Sequence, residues 1–323
     1  MRKFKKASAE KLYAHFQRKN KRPPVLGKGI LLLGLMGKKT RSVKLLQRIT
    51  ALRLPVFPLG ESSLIPIEVL IVVAPKDFDI LPFSIEGAVR NSGHPVSKIV
   101  LIVPNKSIED ARVIISPWAT LVECEVVGED SVISEPLRDA LHRSFKNRYG
   151  WILQQLLCVA YVSESKAAGV LLVDSDTVLT TKRAFLNTNR QLLMVSLERH
   201  DPYYDFLKSL SPVFGNMENT FVTHHMIENP SRLREILEIT SGGEIKKLVE
   251  QIITLIDHTE ASAVCVDFEL YAQAMFTQHR EEIVLAKWSN IAVPRAQALS
   301  GVTFDEIQKK YVDYCSVSFH SYT

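Results

Sequence analysis

The eleven residues Gly169-Val170-Leu171-Leu172-Val173-Asp174-Ser175-Asp176-Thr177-Val178-Leu179 constrain the chain most. Four consecutive branched apolar residues between a glycine and an aspartate read as a short strand buried on both faces, the kind found inside a parallel sheet. That strand runs directly into two carboxylates at i and i+2. In an open α/β sheet the carboxyl ends of the strands border the ligand crevice, so Asp174 and Asp176 are expected on a rigid edge facing it. Hard oxygen ligands of this kind suit Mg²⁺ or Mn²⁺, which pair naturally with a substrate diphosphate. The tripeptide itself is common, and Asp77-Phe78-Asp79 is a second instance. Only the pair at 174 and 176 follows a buried-strand pattern directly.

The flanking segments supply the rest of such a sheet. Ile67–Val73 reads as a first buried strand and Ala74-Pro75-Lys76-Asp77 as the loop at its carboxyl end. A helix to about Asn91 and a second strand, Ile99–Val103, complete a strand, helix, strand opening. Leu121–Val127 reads as a third strand, Glu135–Lys146 as a helix, and Tyr149 to about Ser163 as another. On that last helix Gln154 and Gln155 cannot both point inward, and one of them, with Trp151 and Arg148, is placed to meet a ligand. Gln191–Leu197 and Ile283–Trp288 read as further strands, and Thr303–Tyr311 as a late helix. His224 and His225 are adjacent in a stretch read as a strand end, so regular β geometry sends them to opposite faces and at most one serves a site. Asp267 and Glu269 open a helix that runs to about His279.

The charge is unevenly distributed. Residues 1–50 carry fifteen Lys or Arg and one acid, a net +14, whereas residues 51–323 come to −9 within a total of +5. Ile30–Met36 adds a short apolar wedge, and Val43, Leu46, Ile49 and Leu52 recur at helical spacing beside basic residues. A basic amphipathic stretch of this kind favours an anionic membrane surface over nucleic acid, with a solvated tail or a helix capping the domain as the alternative. No apolar run approaches the ~18 to 20 residues of a spanning helix. The four cysteines are widely spaced, with no CxxC pair, which excludes a zinc or disulfide framework by pattern and fits a reducing cytoplasm. The expected organisation is a basic extension over residues 1–66 and a catalytic α/β domain over 67–323, cytoplasmic and peripheral to the inner membrane face.

Taken together, Ile71–Asp77, Val170–Asp176 and Asp267–Leu270 resemble the GT-A glycosyltransferases. Trp151–Leu156 and Thr223–His225 resemble a bacterial group in that superfamily described only as a family of unknown function. The resemblance implies a Rossmann-like, mostly parallel sheet flanked by helices. It further implies transfer of a sugar from a nucleotide-sugar donor to a hydroxyl on a surface glycan or lipid-linked acceptor. By resemblance Asp174 and Asp176 hold a divalent metal, Mn²⁺ or Mg²⁺, on the donor diphosphate, and Asp174 also meets the ribose. His320 completes the metal site, and Lys76 and Asp77 lie near the nucleotide base. Gln154 and Trp151 stand with the donor-binding residues. Glu269, with Asp267 as its rival, is the general base of an inverting transfer. Two other classes share parts of this pattern. A nucleotidyltransferase also uses metal-binding carboxylates, but the first strand is followed by no Gly-rich, Lys-containing phosphate loop. A non-catalytic module that binds nucleotide-sugar or a membrane surface is the other.

Overall fold

The computed structural model describes residues 54–55, 58–197, 199–214, 219–256, 263–295 and 301–320. The basic, amphipathic stretch expected over residues 1–53 lies outside the described residues.

The order of elements is β1 (Ile67–Val72), α1 (Leu81–Asn91), β2 (Val96–Val103), α2 (Ile108–Ile115), β3 (Glu123–Gly128), α3 (Glu135–Phe145), α4 (Tyr149–Glu164) and β4 (Val170–Val173). There follow β5 (Thr177–Leu179), β6 (Gln191–Val195), α5 (Asp201–Leu210), β7 (His225–Glu228), α6 (Pro230–Ser241) and α7 (Ile245–Leu255). The chain continues through α8 (Glu269–Gln278), β8 (Ile283–Lys287), β9 (Asn290–Pro294), α9 (Phe304–Lys310) and β10 (Ser316–His320).

The central sheet has the order β3-β2-β1-β4-β7. Its first four strands are parallel and β7 is antiparallel to β4. The alternation of side chains along the strands feeds two separate cores. Leu70, Val100, Ile102 and Leu172 pack on one face with Ile152, Leu156 and Val159 of α4. Val69, Ile71, Leu101, Leu171 and Val173 pack on the other with Leu81, Ile85 and Ala88 of α1. This is the mixed α/β architecture with a mostly parallel, helix-flanked sheet that the apolar strand runs require. Among the described residues no helix is long and apolar enough to cross a membrane.

Two strands leave the central sheet. Gln191–Val195 and Ile283–Lys287 pair with each other in parallel as a separate ribbon, and β5, β10 and β9 form a third sheet in that order. Strand order fixes where a ligand can sit. Connections from β1 run outward through β2 to β3, and the chain then returns to place β4 on the other side of β1. The crevice opens where that direction reverses, at the carboxyl ends of β1 and β4. The two segments that meet there carry Asp77 and the Asp174-Ser175-Asp176 sequence.

Candidate functional site

Asp174 ends β4 and the chain turns at once, the Thr177 amide donating to the Asp174 carbonyl at 2.9 Å before β5 begins. β5 pairs antiparallel with β10, Thr177 opposite Ser318, and the Phe319 amide donates to the Asp176 carbonyl at 2.8 Å. That register carries His320 to Asp176, with Nδ1 at 3.0 Å from Oδ2. The expected partnership of His320 with the acid pair is therefore matched by proximity. On the other side His224 Nδ1 lies 2.8 Å from Asp174 Oδ2. The His224 and His320 rings are 5.7 Å apart, and Trp288 lies 5.5 Å from the His224 ring. Side-chain exposures of 23% for Asp174 and 21% for His224, and of 19% for Asp176 and 11% for His320, leave all four within reach of a ligand.

His224 reaches Asp174 because of its backbone. Its φ of +58° is in the left-handed region that a non-glycine residue rarely occupies, and β7 starts only at His225. The stretch expected to be a strand from Phe221 is thus a turn up to His224. His225 points into the protein instead, buried edge-on against Phe185 at 5.9 Å, and burial lowers its imidazole well below the ordinary range. Of the two histidines only His224 lies beside Asp174, and a left-handed residue, not strand alternation, separates them.

The first glutamine of α4 joins the acids. Gln154 Nε2 is 3.4 Å from Asp174 Oδ1, whereas Gln155 is buried and accepts from the Val266 amide at 2.8 Å. Burial raises the Asp174 carboxyl above its ordinary range; His224 opposes that rise and Asp176 adds to it. Trp151, three residues before Gln154, is half-buried and stacked on Tyr203.

Asp77 takes a different part from the one expected. It is buried, Arg295 Nη2 donates to its Oδ1 at 2.6 Å and Ser175 Oγ donates to its Oδ2 at 2.9 Å. Both oxygens are spent inside the protein, which removes Asp77 from the base-recognising role. Its place is that of a latch on the turn between the two acids, whose Ser175 carbonyl also accepts from Ser84 Oγ at 2.8 Å. Arg295 further donates to the carbonyls of Lys76 at 2.7 Å and Phe319 at 3.1 Å, tying the β1 loop to β10. The sequence carries no motif around Arg295, and its role follows only from β9 lying beside β10. Lys76 is exposed in the single 3₁₀ turn Pro75–Asp77.

The two acids before α8 also part company. Glu269 is fully buried and accepts from Thr220 Oγ1 at 2.7 Å, the Phe221 amide at 2.8 Å, Tyr204 Oη at 3.1 Å and Gln273 Nε2 at 2.7 Å. Three of these donors meet Oε1 and Gln273 meets Oε2, so the carboxylate is a fully buried structural hub with no exposed surface toward a substrate. Asp267 is less engaged: Oδ1 accepts from the Phe268 amide at 2.8 Å and lies 3.8 Å from Cys265 Sγ. Burial, with the charge of Asp174 adding to it, pushes its carboxyl up to about 7. Asp267 is thus the acid that senses the Asp174 charge.

The site acids and imidazoles stand as two pairs. Among the described residues, the group of three side chains with ligand atoms mutually within 4.8 Å is His279, Glu281 and Glu282, which flank the loop after α8. The donor set at 174, 176 and 320 nevertheless has the right chemistry for Mn²⁺ or Mg²⁺, two hard carboxylates and an imidazole.

A sequence profile described as a family of unknown function, DUF6492, matches residues 76–271. The chain belongs to that family. The span shared with DUF6492 holds Asp77, Gln154, Asp174, Asp176, His224 and Asp267, and ends before Arg295 and His320. No curated protein matches the chain. Solved structures similar to it include mouse xyloside xylosyltransferase 1 in its apo form, at 13% identity and TM-score 0.42, over 80% of this chain and 98% of that one. An active-site mutant of LgtC is similar at 11% identity and TM-score 0.45, over 78% and 86% of the two chains. The galactosyltransferase LgtC in complex with donor and acceptor sugar analogues is similar at 9% identity and TM-score 0.42, over 79% and 87%.

Proposed function

We propose that the protein transfers a glycosyl group from a nucleotide-sugar to a hydroxyl acceptor. The observation that carries this reading is the acid pair at the reversal point of a parallel sheet, each acid held by an imidazole from a separate element. Asp174, Asp176 and His320 would hold a divalent cation there, which when bound supplies charge stabilisation to a departing diphosphate. The chain's own residues prepare that position. His224 and Gln154 orient Asp174 from two sides, and the Asp77–Ser175 bond, backed by Arg295, fixes the turn between the acids.

Asp267 is the general base of this reading, in preference to Glu269. The Asp267 carboxyl is raised by burial and by the Asp174 charge; a cation on Asp174 offsets the second cause and favours the ionised form that accepts a hydroxyl proton. As Asp267 takes the hydroxyl proton, the acceptor oxygen bonds to the anomeric carbon on the face opposite the diphosphate, whose bond to that carbon breaks, and the product is inverted. The basic extension is proposed to hold the enzyme on an anionic membrane face, near a glycan or lipid-linked acceptor.

The test is donor turnover. The full chain, incubated with a panel of nucleotide-sugars and Mn²⁺, should release nucleoside diphosphate from one of them and stop when EDTA is added. No release and no thermal stabilisation by any donor contradicts the proposal.

A further inference from the structure

The edge of the site formed by the start of α4 carries chemistry that donor binding does not use. Trp151 stacks on Tyr203 of α5, with centroids 6.3 Å apart and planes inclined by 29°. His200 meets the Tyr203 ring edge-on at 4.7 Å. The Arg148 guanidinium lies over the Trp151 ring at 5.5 Å. Both stacked rings are half-buried, while Arg148 and Lys146 are exposed. Among the described residues neither cation makes an ion pair, in contrast to Arg199, which is bound to Asp201 at 2.7 Å.

The position of this stack follows from α4 itself. One turn beyond Trp151, Gln154 reaches Asp174, and Gln155 holds the Val266 amide next to Asp267. The same helix therefore touches the acid that meets the donor and the segment that carries the base. On α5, burial raises the Tyr203 hydroxyl, the Asp267 charge adds to the rise and Arg148 opposes it. Arg148, the residue before α4, thus lies over the Trp151 ring, and Lys146 stands two residues before it in the chain. Flat, half-buried aromatic faces accept the apolar face of a sugar ring. An unpaired guanidinium beside them selects a planar or tetrahedral anion, which it binds through paired N–H groups.

We infer that Trp151 and Tyr203 form the floor of the acceptor subsite, that Arg148 and Lys146 form its rim, and that the acceptor is an anionic saccharide bearing phosphate or carboxylate. This rests on the proposed glycosyl transfer and adds the acceptor class to it. It also moves Trp151 from the donor side to the acceptor side.

Binding to the full chain is measured by calorimetry and saturation-transfer NMR with four probes: glucose 6-phosphate, glucuronate, methyl glucoside and inorganic phosphate. Either charged sugar should bind roughly tenfold tighter than methyl glucoside, an increment that one desolvated ion pair supplies. Whichever of the two binds tighter identifies the anion. Lys146→Ala with Arg148→Ala removes only exposed side chains and should abolish the preference, even though the basic extension remains. Trp151→Ala should weaken both charged sugars and leave inorganic phosphate unchanged. Equal affinity for charged and neutral sugars, a preference that survives the double variant, or phosphate binding as tightly as glucose 6-phosphate overturns the inference. Titration of the parent chain with Mn²⁺ and the donor panel separates the two levels. A donor that binds without any charged-sugar preference sinks the subsite alone. A charged-sugar preference with no donor binding sinks glycosyl transfer and with it the acceptor role, and leaves only a site for anionic sugars.

Discussion

Replacement of Arg295 by Met is the most informative single perturbation of the framework. The Arg295 side chain is 10% exposed and that of Asp77 9%, so the pair is close to the buried limit. Removal of one partner from such a pair costs about 3 to 5 kcal/mol, because the other charge is left without its counterion. Arg295 also donates to the carbonyl of the exposed Lys76, where water replaces the bond at small cost, and to the carbonyl of the buried Phe319, whose lost bond adds to the penalty. Unfolding entropy of ~2.1 cal/mol/K per residue over roughly 250 described residues converts the loss to a melting temperature lower by about 6 to 10 °C. The assay is differential scanning calorimetry of the parent, Arg295→Met, Asp77→Leu and the double variant. Since an apolar pair can replace a buried ion pair at little cost, the double variant should recover a large part of the single Arg295→Met loss. Its site should still be impaired, because Ser175 Oγ no longer has the Asp77 acceptor that holds the turn between Asp174 and Asp176. If Arg295→Met melts within 1 °C of the parent, or the two single losses simply add, the latch is not a buried coupled pair and the reasoning fails.

The remaining expectations concern the acids and the extension. Asp267, raised to about 7 in the folded chain, binds its proton more tightly folded than unfolded, so its contribution to stability is present below the ordinary Asp range and is lost as pH rises through 7. Asp267→Asn should therefore melt higher than the parent at pH 8 in EDTA and close to it at pH 4, whereas an equal difference at both pH values refutes the raised carboxyl. Under donor-saturating conditions the cation on Asp174 offsets the part of the rise due to the Asp174 charge, so the parent's transfer rate should climb with pH along a limb below about 7, and that limb should vanish in Asp267→Asn. Glu269→Ala strands the hydrogen-bonding groups of Thr220, Phe221, Tyr204 and Gln273 and should cost about 3 kcal/mol or more in urea unfolding; a variant as stable as the parent would return Glu269 to the chemistry. A chain starting at Leu59 should lose sedimentation with anionic liposomes while it keeps donor hydrolysis, and equal sedimentation of both forms would remove the membrane role of the basic extension.

The central strands were readable because their side chains are apolar on both faces, which only a covered parallel sheet tolerates. Val170–Val173 and its following acids stand where that pattern puts them, and so do β1 and β2. What could not be read depends on pairings distant in the chain. His320 reaches Asp176 only because β10 lies antiparallel to β5, and no local pattern near residue 320 records that register. His224 faces Asp174 through a left-handed backbone, which a sequence read as regular strand conceals. Asp77 and Glu269 look like free acids in sequence, each at the start of a helical turn. Their partners, Arg295 and the Thr220–Phe221 segment, come from other parts of the chain. Gln191–Val195 has the composition of a central strand, yet it pairs with β8 in a separate two-stranded sheet, and β7 occupies the edge of β4.

The central claim is that Asp174 and Asp176 hold a divalent cation on a nucleotide diphosphate. Its most direct measurement is calorimetry of donor, or of the matching nucleoside diphosphate, with the full chain in Mn²⁺ and in EDTA, repeated with Asp176→Ala. The Asp176 side chain is 19% exposed and its carboxylate bonds the His320 ring and not the hydrophobic core, so the variant should fold like the parent. The account predicts binding in Mn²⁺, none in EDTA, and a loss of at least a hundredfold in Asp176→Ala at an unchanged melting temperature, in line with the cost of removing a ligand or its immediate support. Equal affinity in Mn²⁺ and EDTA, or an Asp176→Ala protein that binds like the parent, contradicts it.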